Sequence, residues 1–229
     1  MTETADIEQP TAFHQRPFEP PPGAMDLLLL RHGQSEAYVD GSPFRLVDGQ
    51  GDPPLSALGV EQARRLSTRL SGAGINAIYV TPLRRTAQTA APLAQQLGLD
   101  LRIEAGLREV FLGEWEGGEF RKQVAQNHPI SQRMFAEERW DVIPGAESSE
   151  ALAGRVRDAI VRLAAAHPGE RVAVFTHGGV IGQALALAAK SRPFAFIGAE
   201  NASISRVVIT SELWIVRGFN DTAHLAGLS

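Results

Sequence analysis

From Met25 onward, short apolar runs alternate with longer amphipathic stretches, and that alternation admits few folds. Residues 26–30 (DLLLL) read as a buried strand. Ser56 then caps a helix whose apolar positions Val60, Ala63, Leu66 and Leu70 recur at helical spacing until Ser71-Gly72 stops it. Residues 77–80 form a second predicted strand; Thr81 as N-cap and Pro82 at the first helical position open a helix to Leu97, closed by Gly98. Residues 99–103 are a third strand. Ser148 or Ser149 starts a long helix with Leu152, Val156, Ile160 and Leu163 on one face, ended by Pro168-Gly169. Residues 172–175 are the next strand and 180–189 the next helix, while 204–209 and 213–216 form a terminal hairpin or edge strands. The pattern predicts an α/β fold: a three-layer sandwich with a mostly parallel central sheet and helices on both faces. Residues 105–147 break the rhythm with glycines, short helical pieces, Trp115 and Trp140. They are expected to form a small helical cap insertion over the carboxyl ends of the strands, where open α/β sheets bind ligands.

Composition narrows the classes. The chain has 229 residues, 44% of them hydrophobic and 21% charged, which fits a globular protein with one sizeable core. Five of the 14 prolines lie in residues 1–24, so a flexible proline-rich tail is expected there, followed by a single domain over 25–229. No apolar run reaches the roughly 18 residues of a membrane span, and no secretory signal pattern opens the chain. A cytoplasmic protein without a membrane partner is the expectation. Absence of cysteine removes disulfides and thiol catalysis. Of the net charge of -4, Glu3, Asp6, Glu8 and Glu19 against Arg16 place three units in the first 24 residues. The remainder has no basic excess to hold a nucleic acid.

Two segments 145 residues apart share one design, residues 29–33 (LLRHG) and 174–178 (VFTHG). Each is a strand end followed by a histidine and a glycine that turns the chain into a predicted helix. Both imidazoles, His32 and His177, should therefore emerge at one edge of the sheet near helix N-termini that favour anions. Arg31 adjoins His32, and Arg84-Arg85 follow another strand end; the arginine fork grips phosphate at two points. Residues 107–117 place Glu109, Glu114 and Glu116 in an apolar loop, where one of them, partly desolvated, can transfer a proton while the others are surface charges. The chain carries no metal-ligand motif, phosphate-binding glycine loop, dinucleotide fingerprint or serine elbow. Histidine itself is left as the nucleophile, which points to phosphoryl chemistry without a metal.

Residues 30–35 (LRHGQS) resemble the signature of the histidine phosphatase superfamily, which includes cofactor-dependent phosphoglycerate mutases and many phosphatases. Residues 52–59, 81–89, 107–109 with Gly113, and 176–179 match in the same order. The resemblance implies that His32 is the phosphorylated nucleophile, surrounded by Arg31, Arg85 and a cationic His177. It further implies that Glu109 is the proton donor, with Ser35 and the N–H of Gly178 adding phosphate contacts. Arg85 rather than Arg84 matches the family arginine. The chain departs from the family in having Tyr38 at a position often held by asparagine and a long connection over 37–51, in which Gln50 or Arg45 would bear on substrate choice. The compact core resembles the phosphatase branch. A metal-independent phosphomonoesterase of the histidine acid phosphatase type is expected, needing no cofactor, acting on a phosphorylated small molecule and free to form a homodimer. A mutase-type transfer and a non-catalytic phosphate-binding module are the alternatives.

Overall fold

A computed structural model describes residues 13–228 of the chain. Six strands form one sheet in the order β5-β4-β6-β1-β7-β8: β1 Met25–Arg31, β4 Ala77–Val80, β5 Leu101–Ile103, β6 Arg171–Thr176, β7 Ile204–Ile209 and β8 Trp214–Asp221. β5, β4, β6 and β1 run parallel, and the hairpin β7–β8 adds antiparallel to β1. β2 Leu46–Val47 and β3 Gln50–Gly51 make a separate two-stranded hairpin that the sequence pattern does not signal.

The alternating side chains of β1 explain the layers. Leu27 and Leu29 point into a cluster with Leu152, Val156 and Ile160 of α5 (Ser149–Ala166) and Val180, Ile181 and Leu185 of α6 (Gly178–Ala189). Leu28 and Leu30 point the other way, onto Leu66 and Leu70 of α1 (Ala57–Leu70) and Ala90 and Leu93 of α2 (Arg84–Leu97). A strand between two helical layers buries both faces, which is why residues 27–30 are apolar without alternation, while Asp26 at the start of the strand is buried against Arg171 and Arg206. The result is an α/β three-layer sandwich. No helix of the described residues is long and apolar enough to cross a membrane.

Several local expectations need correction. Val60 is 59% exposed; the buried face of α1 is Gly59, Ala63, Leu66, Ser67 and Leu70. Thr81 does not cap α2, which starts at Arg84 after Leu83, because the threonine hydroxyl turns inward to the second histidine. Gly98 does close that helix, in the left-handed conformation. Ala24, at the end of the expected tail, is already buried, and Phe18 lies beneath the Arg217 guanidinium at 3.8 Å. The first half of the tail falls outside the described residues.

Between β5 and α5 the chain builds α3 (Glu119–Ala125), α4 (Pro129–Glu137) and short 3-10 turns. Trp115 and Trp140 are buried in this segment and join the same core as α5 and α6.

Candidate active site

Arg31 and Thr176 pair at the ends of the parallel strands β1 and β6, so the residues that follow, His32 and His177, leave the sheet side by side. The His32 N–H donates to Thr176 O at 3.0 Å, and the two rings meet edge to face with centroids 5.2 Å apart. Only one of the two segments continues as expected. His177 is the N-cap of α6, whereas after His32 the chain enters an irregular connection and no helix starts there. Gly33 has a steric reason: a Cβ there would lie 2.5 Å from Gly59 O.

Each imidazole has a defined tautomer. His32 Nδ1 lies 2.7 Å from Gly33 O, a pure acceptor, so Nδ1 holds the proton. Its Nε2 is the unprotonated nitrogen, and its one in-plane lone pair accepts from Arg85 Nε at 3.2 Å. His177 is the reverse: Nδ1 accepts from Arg85 Nη2 at 3.3 Å, and Nε2 donates to Thr81 Oγ1 at 3.0 Å. Burial, with Arg85 and Arg31 adding repulsion, pushes His32 well below the ordinary histidine pKa. Burial and then Arg85 do the same to His177. Both rings are thus neutral at pH 7 in the free protein, which corrects the expectation of a standing cation at His177.

Arg85 is buried and stays protonated although burial lowers its pKa to about 10; its Nη1 also donates to Gly51 O at 2.9 Å. Arg84 turns outward to an ion pair with Asp52 at 3.1 Å. Arg31 donates to Ala199 O, and its buried Nε has no partner among the described residues. Glu109 Oε1 accepts from the N–H groups of Val110 at 3.0 Å and Gly179 at 3.2 Å. A Cβ at Gly179 would stand 2.8 Å from that oxygen, so glycine admits the carboxyl. Burial raises the pKa of Glu109, outweighing the N–H groups and arginines that favour its anion.

These groups line a cavity of about 210 Å³ walled by Arg31, His32, Gln50, Arg85, Glu109 and Arg121, with the rings of Phe44, Trp115, Phe120 and Trp140 opposite. His177 is fully buried and lies outside that wall, touching it through Arg85. Gly178 opens α6, so its N–H lacks an intrahelical partner, and it packs against Arg31. Ser35 is not in the wall: its hydroxyl accepts from Arg121 Nη2 at 2.7 Å, beside a neighbouring groove. Gln50 is in the wall, but its amide nitrogen is committed to the carbonyls of Glu109 and Val110, at 2.8 and 3.3 Å, leaving only the carbonyl oxygen. The Arg45 side chain is exposed. Glu116 is no surface charge; its carboxylate bridges the N–H groups of Leu112 and Gly51.

Arg121 was not singled out by sequence reasoning. One among 20 arginines, on the short helix α3, it carries no local signal; only folding brings it to the cavity wall that Arg31 and Arg85 share.

The sequence pattern of the histidine phosphatase superfamily (branch 1) matches residues 27–222. The chain belongs to this superfamily. It is similar to the protein named "Probable phosphoglycerate mutase GpmB" of Proteus mirabilis, 30% identical over 90% of this chain and 97% of that one. The solved structure of a mycobacterial glucosyl-3-phosphoglycerate phosphatase complexed with VO3 is 30% identical, covers 86% of this chain and 99% of its own, and has a TM-score of 0.73. The alpha-ribazole phosphatase of Shigella flexneri follows at 27% identity, with 86% and 96% covered and a TM-score of 0.69. The chain is therefore an enzyme of the histidine phosphatase superfamily, phosphatase or mutase-like, and phosphoryl transfer through a histidine is general to that superfamily.

Proposed function

We propose that the protein hydrolyses phosphomonoesters of small molecules without a metal, through a phosphohistidine on His32. The observation that carries this reading is the Nδ1–H to Gly33 O bond, which leaves Nε2 of a neutral imidazole unprotonated; its lone pair accepts from Arg85 Nε in the free protein and is freed for attack when that guanidinium turns to the docked phosphate. The substrate phosphate docks against Arg31 and Arg85, whose charges spread over its oxygens; Arg31 Nε is a donor still unpaired. His32 Nε2 attacks phosphorus in line, the bond to the ester oxygen breaks, and the protonated Glu109 carboxyl gives its proton to that oxygen. In the second step Glu109 takes a proton from water, the water oxygen attacks phosphorus, and the N–P bond breaks to release phosphate. His177 holds Arg85, and an entering dianion raises its proton affinity, so its cation forms with ligand rather than before it. The Gln50 carbonyl oxygen repels phosphate and suits a substrate hydroxyl.

Three arginines at one cavity supply the charge neutralisation that a metal provides elsewhere. The named phosphatases among the similar solved structures are consistent with hydrolysis, while the relative named a probable phosphoglycerate mutase keeps transfer as the second reading. Hydrolysis of p-nitrophenyl phosphate in EDTA is the test: activity persists in the wild type and falls by at least about two to three decades in His32→Ala. Rapid quench should trap an acid-labile phosphoryl adduct on His32. Loss of activity to chelator, or no adduct, overturns the reading. Phosphoglycerate turned over only with a bisphosphoglycerate primer would mean a mutase, and phosphate binding without turnover a non-catalytic module.

A further inference from the structure

Glu109 sits in an irregular stretch, with no strand or helix from Arg108 to Leu112 to hold it. Even so, four successive carbonyls of this stretch are bound by side chains. Arg155 of α5 donates Nη1 to Gly106 O and Arg108 O, both at 2.8 Å, and Nη2 to Glu109 O at 3.0 Å, while Thr176 Oγ1 donates to Leu107 O at 2.6 Å. The remaining Arg155 donors meet Glu147, Nε to Oε1 at 2.6 Å and Nη2 to Oε2 at 2.8 Å. All five N–H groups of a guanidinium are thereby used, in the one fork geometry that arginine offers and lysine does not. Glu147 belongs to the same strap, since its N–H donates to Phe111 O at 2.9 Å. Arg155 lies outside the wall of the cavity, in a shallow groove behind the loop, and does not touch the reacting atoms.

We propose that Arg155, braced by Glu147, is the positioning residue of the proton-transfer group, holding the backbone of Glu109 so that its carboxyl faces the ester oxygen. The inference rests on Glu109 being the acid of the reaction. A carboxyl on an unstrapped loop would sample positions about 1 Å off, a displacement that costs up to about a hundred-fold in rate.

The leaving group separates this role from simple support of the fold. p-Nitrophenolate departs without a proton, whereas an alkyl phosphate such as propyl phosphate needs one, so kcat/KM on the two substrates reports proton donation. Arg155→Lys is expected to lose about ten- to a hundred-fold more on propyl phosphate than on p-nitrophenyl phosphate. In a Glu109→Gln background the same substitution should add little, because both act on one step. Glu147→Gln, which keeps the arginine but loosens its brace, should show the same selective loss in smaller measure and decides the question if Arg155→Lys does not fold. Equal loss on both substrates, or a full Arg155 effect in the Glu109→Gln background, overturns the proposal. If Glu109→Gln itself loses equally on both substrates, the failure is that of Glu109 as acid.

Discussion

At the residue scale, burial shifts the cavity's titrating groups toward their neutral forms. His32 and His177 are buried as neutral bases, so below pH 6.5 the unfolded chain binds more protons than the folded one. Stability contributed by these rings is therefore complete above pH 6.5 and declines as pH falls from there toward their lower folded-state pKa values. Thermal unfolding should show a lower Tm at about pH 5 than at pH 7, and a His32→Asn/His177→Asn double variant should lose less over that interval. Glu109 has the opposite sign, since burial favours its neutral acid. For an alkyl phosphate, kcat/KM should fall as pH rises through a pKa above 4.5, and Glu109→Gln should remove that descending limb. The ascending limb, set by neutral His32, lies below 6.5.

At the scale of elements, the strand-end turn after β1 is locked to the start of α1. Ser56 caps that helix by accepting from Gly59 N at 3.1 Å, and a Cβ on Gly59 would stand 1.9 Å from Gln34 O. Because the opposing atom is backbone, Gly59→Ala must move the segment that carries His32. A loss of about 1–3 kcal/mol in urea unfolding is expected. Gly154, inside α5 with nothing within 4 Å of its Cβ position, is the counter-case: Gly154→Ala should stabilise by about 0.5–1 kcal/mol. Most element positions were legible from the sequence, because each strand and helix needs only its own apolar period and cap. Apart from Val60, the misplaced features involve partners distant in the chain. Thr81 looked like a helix cap but bonds His177, 96 residues away, and the hairpin β2–β3 forms against the cap loop through Glu116 and Gln50.

At the scale of the whole molecule, the segment between β5 and α5 supplies one wall of the cavity through Trp115, Phe120, Arg121 and Trp140. Arg121 of α3 reaches back to Ser35 Oγ and Glu36 O, both at 2.7 Å, and stands on the Phe44 ring at 5.2 Å. Lys122 on the same helix pairs with Asp40 at 2.8 Å, so the long connection over 37–51 serves as the seat of the cap. Arg121→Ala should raise KM for p-nitrophenyl phosphate more than it lowers kcat, since the guanidinium adds positive charge at the cavity wall while its N–H groups are bound to Ser35 and Glu36 rather than to His32. A steady-state comparison with Arg121→Lys, which keeps the charge, checks this. The strand-end motifs and apolar periods already determined the α/β sandwich and the pairing of Arg31-His32 with His177 at one edge, because parallel strands deliver their carboxyl ends there; Arg85 and Glu109 were marked by the family resemblance. Tertiary structure alone decided the rest: the tautomer of each ring, the neutrality of His177, the recruitment of Arg121 and the strap of Arg155. Those features arise from burial and from contacts between segments far apart in the chain, and local residue order encodes neither.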